Sequence, residues 1–215
     1  GDESGYLVTK DQPTKIAAME AIWETHEAPA PLTLFAIPDE AAQTNHAQID
    51  VPWLFGLMGT RSLSTEIPGI KELTAQAEQR IVNGQKAIGV LEQLRKDPAN
   101  EQLREQFLAV RDDLGFGLLL KRYTNDVNAA TPEMIKQAAA DTIPSVTPMF
   151  WSFRIMVGSG LAMALVFVLG LFYSFRNEIA EKAWYLRLAV LALPLPWIAS
   201  EAGWFVAEYG RQPWT

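Results

Sequence analysis

The pattern of apolar and polar positions divides the chain in two. After Pro68, apolar residues recur at helical spacing at Ile70, Leu73, Ala77, Ile81, Ile88, Leu91 and Leu94, and Leu103, Phe107, Val110 and Leu114 repeat the pattern. Both runs predict helices with one apolar stripe. Asp11 to Thr14, with Pro13 near the first turn, predicts a helix start leading into KIAAMEAIWETHE, which the Pro29 to Pro31 segment ends. Thr131 before Pro132 and Glu133 predicts another N-cap. Between Pro31 and Trp53, TLFAI and HAQIDV read as either a small hairpin or an extended loop.

The remainder is of another kind. From Ile155 to Phe175 no residue is charged, IMVGSGLAMALVFVLGLFYSF, which is long enough for a helix to cross a hydrocarbon core. Leu188 to Ala207 is similarly apolar but contains Glu201, and Pro194 and Pro196 predict a kink. Trp151, Trp184 and Trp214 fall where an interfacial aromatic belt would lie. The connection RNEIAEKAWYLR carries Arg176, Lys182 and Arg187, so the positive-inside rule puts it in the cytoplasm and puts residues 1–148 outside, in the periplasm of a bacterium. A long acidic region needs a signal to reach that side, and the chain opens at Gly1 without one, so earlier membrane helices are expected to precede it.

Charge supports the division. Residues 1–148 hold 13 Lys and Arg against 21 Asp and Glu, and the rest hold 5 against 4. An acidic balance without a basic patch excludes nucleic acid as a partner. Cysteine is absent, which excludes disulfides, thiolate metal sites and covalent c-type heme attachment. The chain shows no internal repeat, P-loop or glycine-rich dinucleotide fingerprint.

The ionisable residues at membrane depth carry the chemistry. Glu201, Trp204 and Glu208 follow at i, i+3 and i+7, so they share one helix face, and a carboxylate face is costly against lipid. With the two spans running in opposite directions, Met156 and Glu208 fall at similar depth near the outer face. Gly158, Ser159, Gly160 and Ala162 permit close approach of a helix or a flat cofactor.

Four stretches in order, GDESGY, KIAAME, the FRIM that contains Met156, and GWFVAEYGRQPW, make the chain resemble subunit I of cytochrome bd, the bacterial quinol oxidase that reduces oxygen to water. The resemblance spans Gly1 to Thr215. It implies an all-α membrane protein: a mostly helical periplasmic quinol loop of the long form over residues 1–148, membrane helices at 149–176 and 188–209, a cytoplasmic connection at 177–187, and an outer-face end at 210–215. It implies Lys15 and Glu20 for quinol oxidation, Met156 on the iron of a low-spin heme b and Glu208 on that of a high-spin heme b. Trp204 would lie among the hemes, and Arg154 and Arg211 close to them. A heme d, quinol and oxygen as substrates, membrane lipid, a second large subunit and small subunits complete the implied enzyme, a quinol:oxygen oxidoreductase of the inner membrane. The family's histidine ligands belong to N-terminal helices that this chain does not contain, so the chain by itself is expected to be incomplete and inactive.

Each residue also has a plainer reading. A Met at the mouth of an apolar helix ordinarily packs, Arg154 ordinarily snorkels to the interface, and Trp204 ordinarily belongs to core or belt. Lys15 and Glu20 stand about 140° apart on a helix, as separate solvated charges would. The plain alternative for Glu208 and Arg211 is an ion pair capping the helix at the outer interface, and Glu201 serves either a proton path or a buried pair. His26 and His46 lie in the acidic region and read as exposed loop or helix residues rather than ligands. The rival for the whole chain is a non-enzymatic periplasmic helical interaction or sensing domain on a two-helix anchor, which leaves Glu201, Trp204 and Glu208 without a reason.

Overall fold

A computed structural model describes residues 2–211. Helices α1 (Asp2–Asp11) and α2 (Pro13–Glu20) precede a hairpin of β1 (Leu32–Asp39) and β2 (Thr44–Val51). Helices α3 (Ile70–Lys96), α4 (Glu101–Val110), α5 (Leu114–Leu118) and α6 (Pro132–Ala140) complete the outer region, and α7 (Val146–Phe175), α8 (Ala183–Leu191) and α9 (Leu195–Tyr209) follow. The hairpin is antiparallel, pairing Leu32 with Val51 and Asp39 with Thr44 across two irregularities in register.

The apolar stripe after Pro68 does form α3, burying Ile70, Leu73, Ala77 and Ile81. Thr131 caps α6, its hydroxyl accepting from the Met134 amide at 3.4 Å. Two cores result. One gathers α2, the start of α3, the hairpin and the first turns of α7, with Met149 and Phe150 fully buried. The other joins α3, α5 and α6 around Ile81 and Leu120. Burying a Met or Phe side chain contributes about 1.5–3 kcal/mol, so the outer end of α7 belongs to the first core. That is why the helix begins at Val146, several residues before the uncharged run. Glu40, in the hairpin turn, accepts from the Thr147 amide at 2.8 Å and so caps α7.

Two stretches are long and apolar enough to cross a membrane, Val146–Phe175 and Ala183–Tyr209, with windows of mean hydropathy 2.4 and 1.4. The second is interrupted between Leu191 and Leu195, where Pro194 starts a new helix. Helix begins at Ala183, earlier than the apolar pattern suggested, because Tyr185 packs on α7 and donates to Val166 O at 3.2 Å. Its ring meets Tyr173 and Trp184, while Lys182 stands over Tyr173.

Helices α3 and α5 touch backbone to backbone: a Cβ on Gly84 would lie 2.3 Å from the Gly117 amide nitrogen. Alanine ordinarily favours a helix over glycine by about 1 kcal/mol, but overpacking here costs about 1–3 kcal/mol, so Gly84→Ala should destabilise the outer region. Limited proteolysis of the membrane-embedded protein should cut this variant several-fold faster. Gly115→Ala, which meets nothing within 4 Å, should not change the rate.

Candidate functional site

Helix α2 stops at Glu20, short of the Trp23 to Glu27 stretch that the sequence pattern would have added to it. Ala21 turns left-handed at φ 51° and the Ile22 amide bonds back to Ala17 O at 2.8 Å. For alanine that conformation costs about 1–2 kcal/mol. Asn45 of β2 offsets it, donating to Ala21 O at 2.9 Å and accepting from Trp23 Nε1 at 2.8 Å. The end of α2 is thereby held against β2.

Glu20 is 2% exposed there. Its Oε2 accepts from Arg154 Nη2 at 2.7 Å. The same guanidinium donates to the Met19 and Thr33 carbonyls and lies 3.7 Å from the Phe150 ring centroid. Glu20 Oε1 is buried without a hydrogen-bond partner among the described residues. Burial, opposed by the Arg154 charge and hydrogen bond and reinforced by Asp50, pushes the Glu20 carboxyl up to about 7.

Lys15 reaches the other helix. It is 8% exposed, and its Nζ donates to Ala207 O, in the last turn of α9, at 3.2 Å. Burial and then the Arg211 charge lower its pKa, against a smaller opposing effect of Glu208. Gly210 makes the approach possible, since a Cβ there would lie 2.8 Å from Lys15 Cε and from Met149 Cε. Lys15 and Glu20 are thus not separate solvated charges. Each is buried by a different membrane helix, and α2 lies across the outer ends of both.

Contacts of Gly210 with Met149 and of Gly203 with Met156 fix one antiparallel register between α9 and α7. In it Glu208 is level with Trp151, and Met156 lies five residues, about 7–8 Å, further in. Their backbone positions are offset by that distance, and the side chains, each leaning toward its own helix N-terminus, lean toward one another. The Met156 thioether lies over Gly203, where a Cβ would come within 2.9 Å of Sδ, and Gly158 and Gly160 beside it face open space. Glu208 stands 3.8 Å from Arg211, too far for a hydrogen bond. Trp204 is 65% exposed, and Trp197 and Glu201 are exposed on the same side of α9. Arg154 points toward the end of α2 and β1. His26 pairs through its backbone with Ile67, and His46 on β2 lies 3.5 Å from Asp39. Gln212 to Thr215, with Trp214, lie outside the described residues.

An open cleft of about 740 Å³ runs between the start of α2, α3, α5 and the end of α9, lined by residues that include Gln12, Arg80 and Arg211. Neither Lys15 nor Glu20 lines it.

Comparison with known proteins decides the family. Residues 1–215 match the family described as cytochrome bd terminal oxidase subunit I. The chain belongs to this family. It is 41% identical over 214 residues to cytochrome bd-II ubiquinol oxidase subunit 1 of Escherichia coli, covering all of this chain and 42% of that protein. Cytochrome bd ubiquinol oxidase subunit 1 of Bacillus subtilis is 29% identical over 206 residues, 96% of this chain and 32% of the relative. The chain spans less than half the length of these relatives. As a member of the cytochrome bd subunit I family it is a helical membrane protein, and among the described residues α7 and the α8–α9 pair are the stretches long and apolar enough to span.

The donor set fits heme. A thioether with open space at Gly160 one turn on along its face, and a loosely paired carboxylate on α9, are groups that would each hold heme iron. Sequence reasoning passed over Asn45, Glu40 and Gly203, whose roles depend on partners distant in the chain. Gly210, by contrast, stands inside the most distinctive motif. Gly210→Ala should displace Lys15 from Ala207 O while Glu20 keeps its place; limited proteolysis of the membrane-embedded protein should then cut near α2 several-fold faster than in the parent.

Proposed function

We propose that this chain is the quinol-oxidising part of a quinol:oxygen oxidoreductase of the cytochrome bd type, in a bacterial inner membrane with residues 1–148 on the periplasmic side. The observation that carries the reading is the Glu20 carboxylate, held through one oxygen and left with the other buried and unpartnered at the outer end of a membrane helix. A buried acceptor without a donor costs about 1–3 kcal/mol. A quinol hydroxyl supplies that donor.

Quinol gives up two electrons and two protons, and its hydroxyls become strongly acidic as electrons leave. Glu20, with its carboxyl near pH 7, is matched to accept one of these protons at the outer face. Lys15 keeps donors beyond the one spent on Ala207 O and polarises a quinol oxygen. Met156 would hold the iron of a low-spin heme b and Glu208 that of a high-spin heme b, with Arg211 near the Glu208 carboxylate and Trp204 between the two groups. When bound, these hemes and a heme d supply the one-electron acceptors and the oxygen-reducing centre. The second large subunit, small subunits and lipid are the partners this assignment requires. A plain two-helix anchor would need neither a buried Lys15 nor a buried Glu20.

In the complete oxidase, Lys15→Ala should raise KM for quinol about tenfold, as loss of a charged hydrogen bond predicts, and Glu20→Ala should lower kcat about 100-fold or more. The acceptor works only when ionised, so kcat should climb as pH rises through about 7 in the parent and stay flat in Glu20→Gln. Both variants oxidising quinol like the parent, with hemes intact, would end the proposal.

Absorption spectra test the ligands separately. Met156→Leu should abolish the low-spin b band and leave the other hemes. Glu208→Gln keeps size and hydrogen bonding but removes the charge, so it should lose the high-spin b signal while the low-spin heme remains; an unchanged spectrum would leave only an ion pair with Arg211.

A further inference from the structure

Arg154 stands two residues from Met156 on α7, which invites assigning it to a heme carboxylate. Its contacts argue otherwise. The guanidinium is spent on Glu20 Oε2, the Met19 carbonyl and the Thr33 carbonyl, and its plane rests on Phe150. Those partners come from the end of α2 and from β1, and the Arg154 side chain is only 13% exposed. An arginine held on three acceptors in a packed interior presents its fork in one fixed direction.

We infer that Arg154 is the positioning residue of the proton acceptor: it binds one carboxylate oxygen of Glu20 and the backbone on either side, and so leaves Oε1 as the single place where a proton can arrive. The inference rests on the reading of Glu20 as acceptor. In the step concerned, the O–H bond of a quinol hydroxyl breaks, an O–H bond forms on Oε1, and the charge of Glu20 is neutralised beside a guanidinium that keeps its own. The charged groups acting on Glu20 among the described residues are Arg154 from α7 and Asp50 from β2, of opposite effect. Arg154 favours the ionised acceptor that must be restored after each proton leaves.

A positioning role predicts a signature that packing alone does not. In the full-length membrane-embedded oxidase, Arg154→Gln should lower kcat about tenfold or more with KM for quinol changed by less than about threefold. The rise of kcat with pH should move upward by roughly one unit or more, because an acceptor without its cation ionises less readily. Higher pH should therefore rescue Arg154→Gln and not Glu20→Gln. Arg154→Lys, which keeps the charge but not the fork, should show a smaller displacement and a lowered kcat, and it carries the comparison if the Gln variant fails to assemble.

The inference is overturned if Arg154→Lys retains the parent's kcat and pH limb, or if an Arg154 variant keeps that limb but loses the low-spin heme absorption. Glu20→Gln retaining the parent's limb would instead bring down the reading of Glu20 itself, so the two failures are distinguishable.

Discussion

A guanidinium taken out of water between α2 and α7 governs the arrangement of this protein. A buried ion pair contributes little net stability against an apolar replacement, yet removing one partner costs about 3–5 kcal/mol because the other charge is stranded. Arg154 and Glu20 are such a pair, separated by 134 positions in sequence and 2.7 Å in space. The Met19 and Thr33 carbonyls take further donors of the guanidinium, so the end of α2, β1 and α7 meet at one group.

From this joint the rest of the site follows. With Glu20 fixed on α7, the first turn of α2 falls over the end of α9, and Lys15 closes the bridge on a carbonyl that the helix terminus leaves without an intrahelical partner. The buried carboxylate and the buried cation are therefore carried by one short helix, and Met156 and Glu208 by the long apolar helices it lies against. The cost is a left-handed alanine at the end of α2 and a carboxylate oxygen left unpaired, both of the kind that functional sites tolerate.

Elements specified by local rules were legible in the sequence. The uncharged run to Phe175 is a helix, Pro194 breaks the second span, Thr131 caps α6 and the stripe from Ile70 forms α3. The hairpin at Leu32 to Val51 was one of two open readings, and its β-branched alternation is weak. What stayed hidden depends on contacts distant in sequence. Spacing alone makes Lys15 and Glu20 look solvated, because the walls that bury them come from α7 and α9. Arg154 looks like an interfacial cation until Glu20 is placed beside it. Opposed span directions suggest similar depth for Met156 and Glu208, and the glycine contacts add what spacing cannot, a register that offsets their backbone positions by more than a turn.

The two membrane helices present different chemistry on their uncovered sides. Helix α7 exposes Leu161, Leu165, Phe167, Val168 and Phe172, a surface that hydrocarbon or another apolar helix satisfies without loss. Helix α9 exposes Trp197, Glu201 and Trp204, with Glu208 at the outer end of the same side. A charged side chain at mid-membrane depth costs about 2.5–3.5 kcal/mol on insertion scales, and Glu201 lies about 10 Å inward of Glu208 by helix rise. No ion pair reaches Glu201 from the described residues of this chain. The α9 face therefore favours surroundings that supply positive charge or hydrogen-bond donors, whereas the α7 face needs only apolar ones. The orientation of the pair about its own axis is thus set by two glutamates, with hydrophobicity contributing only the length.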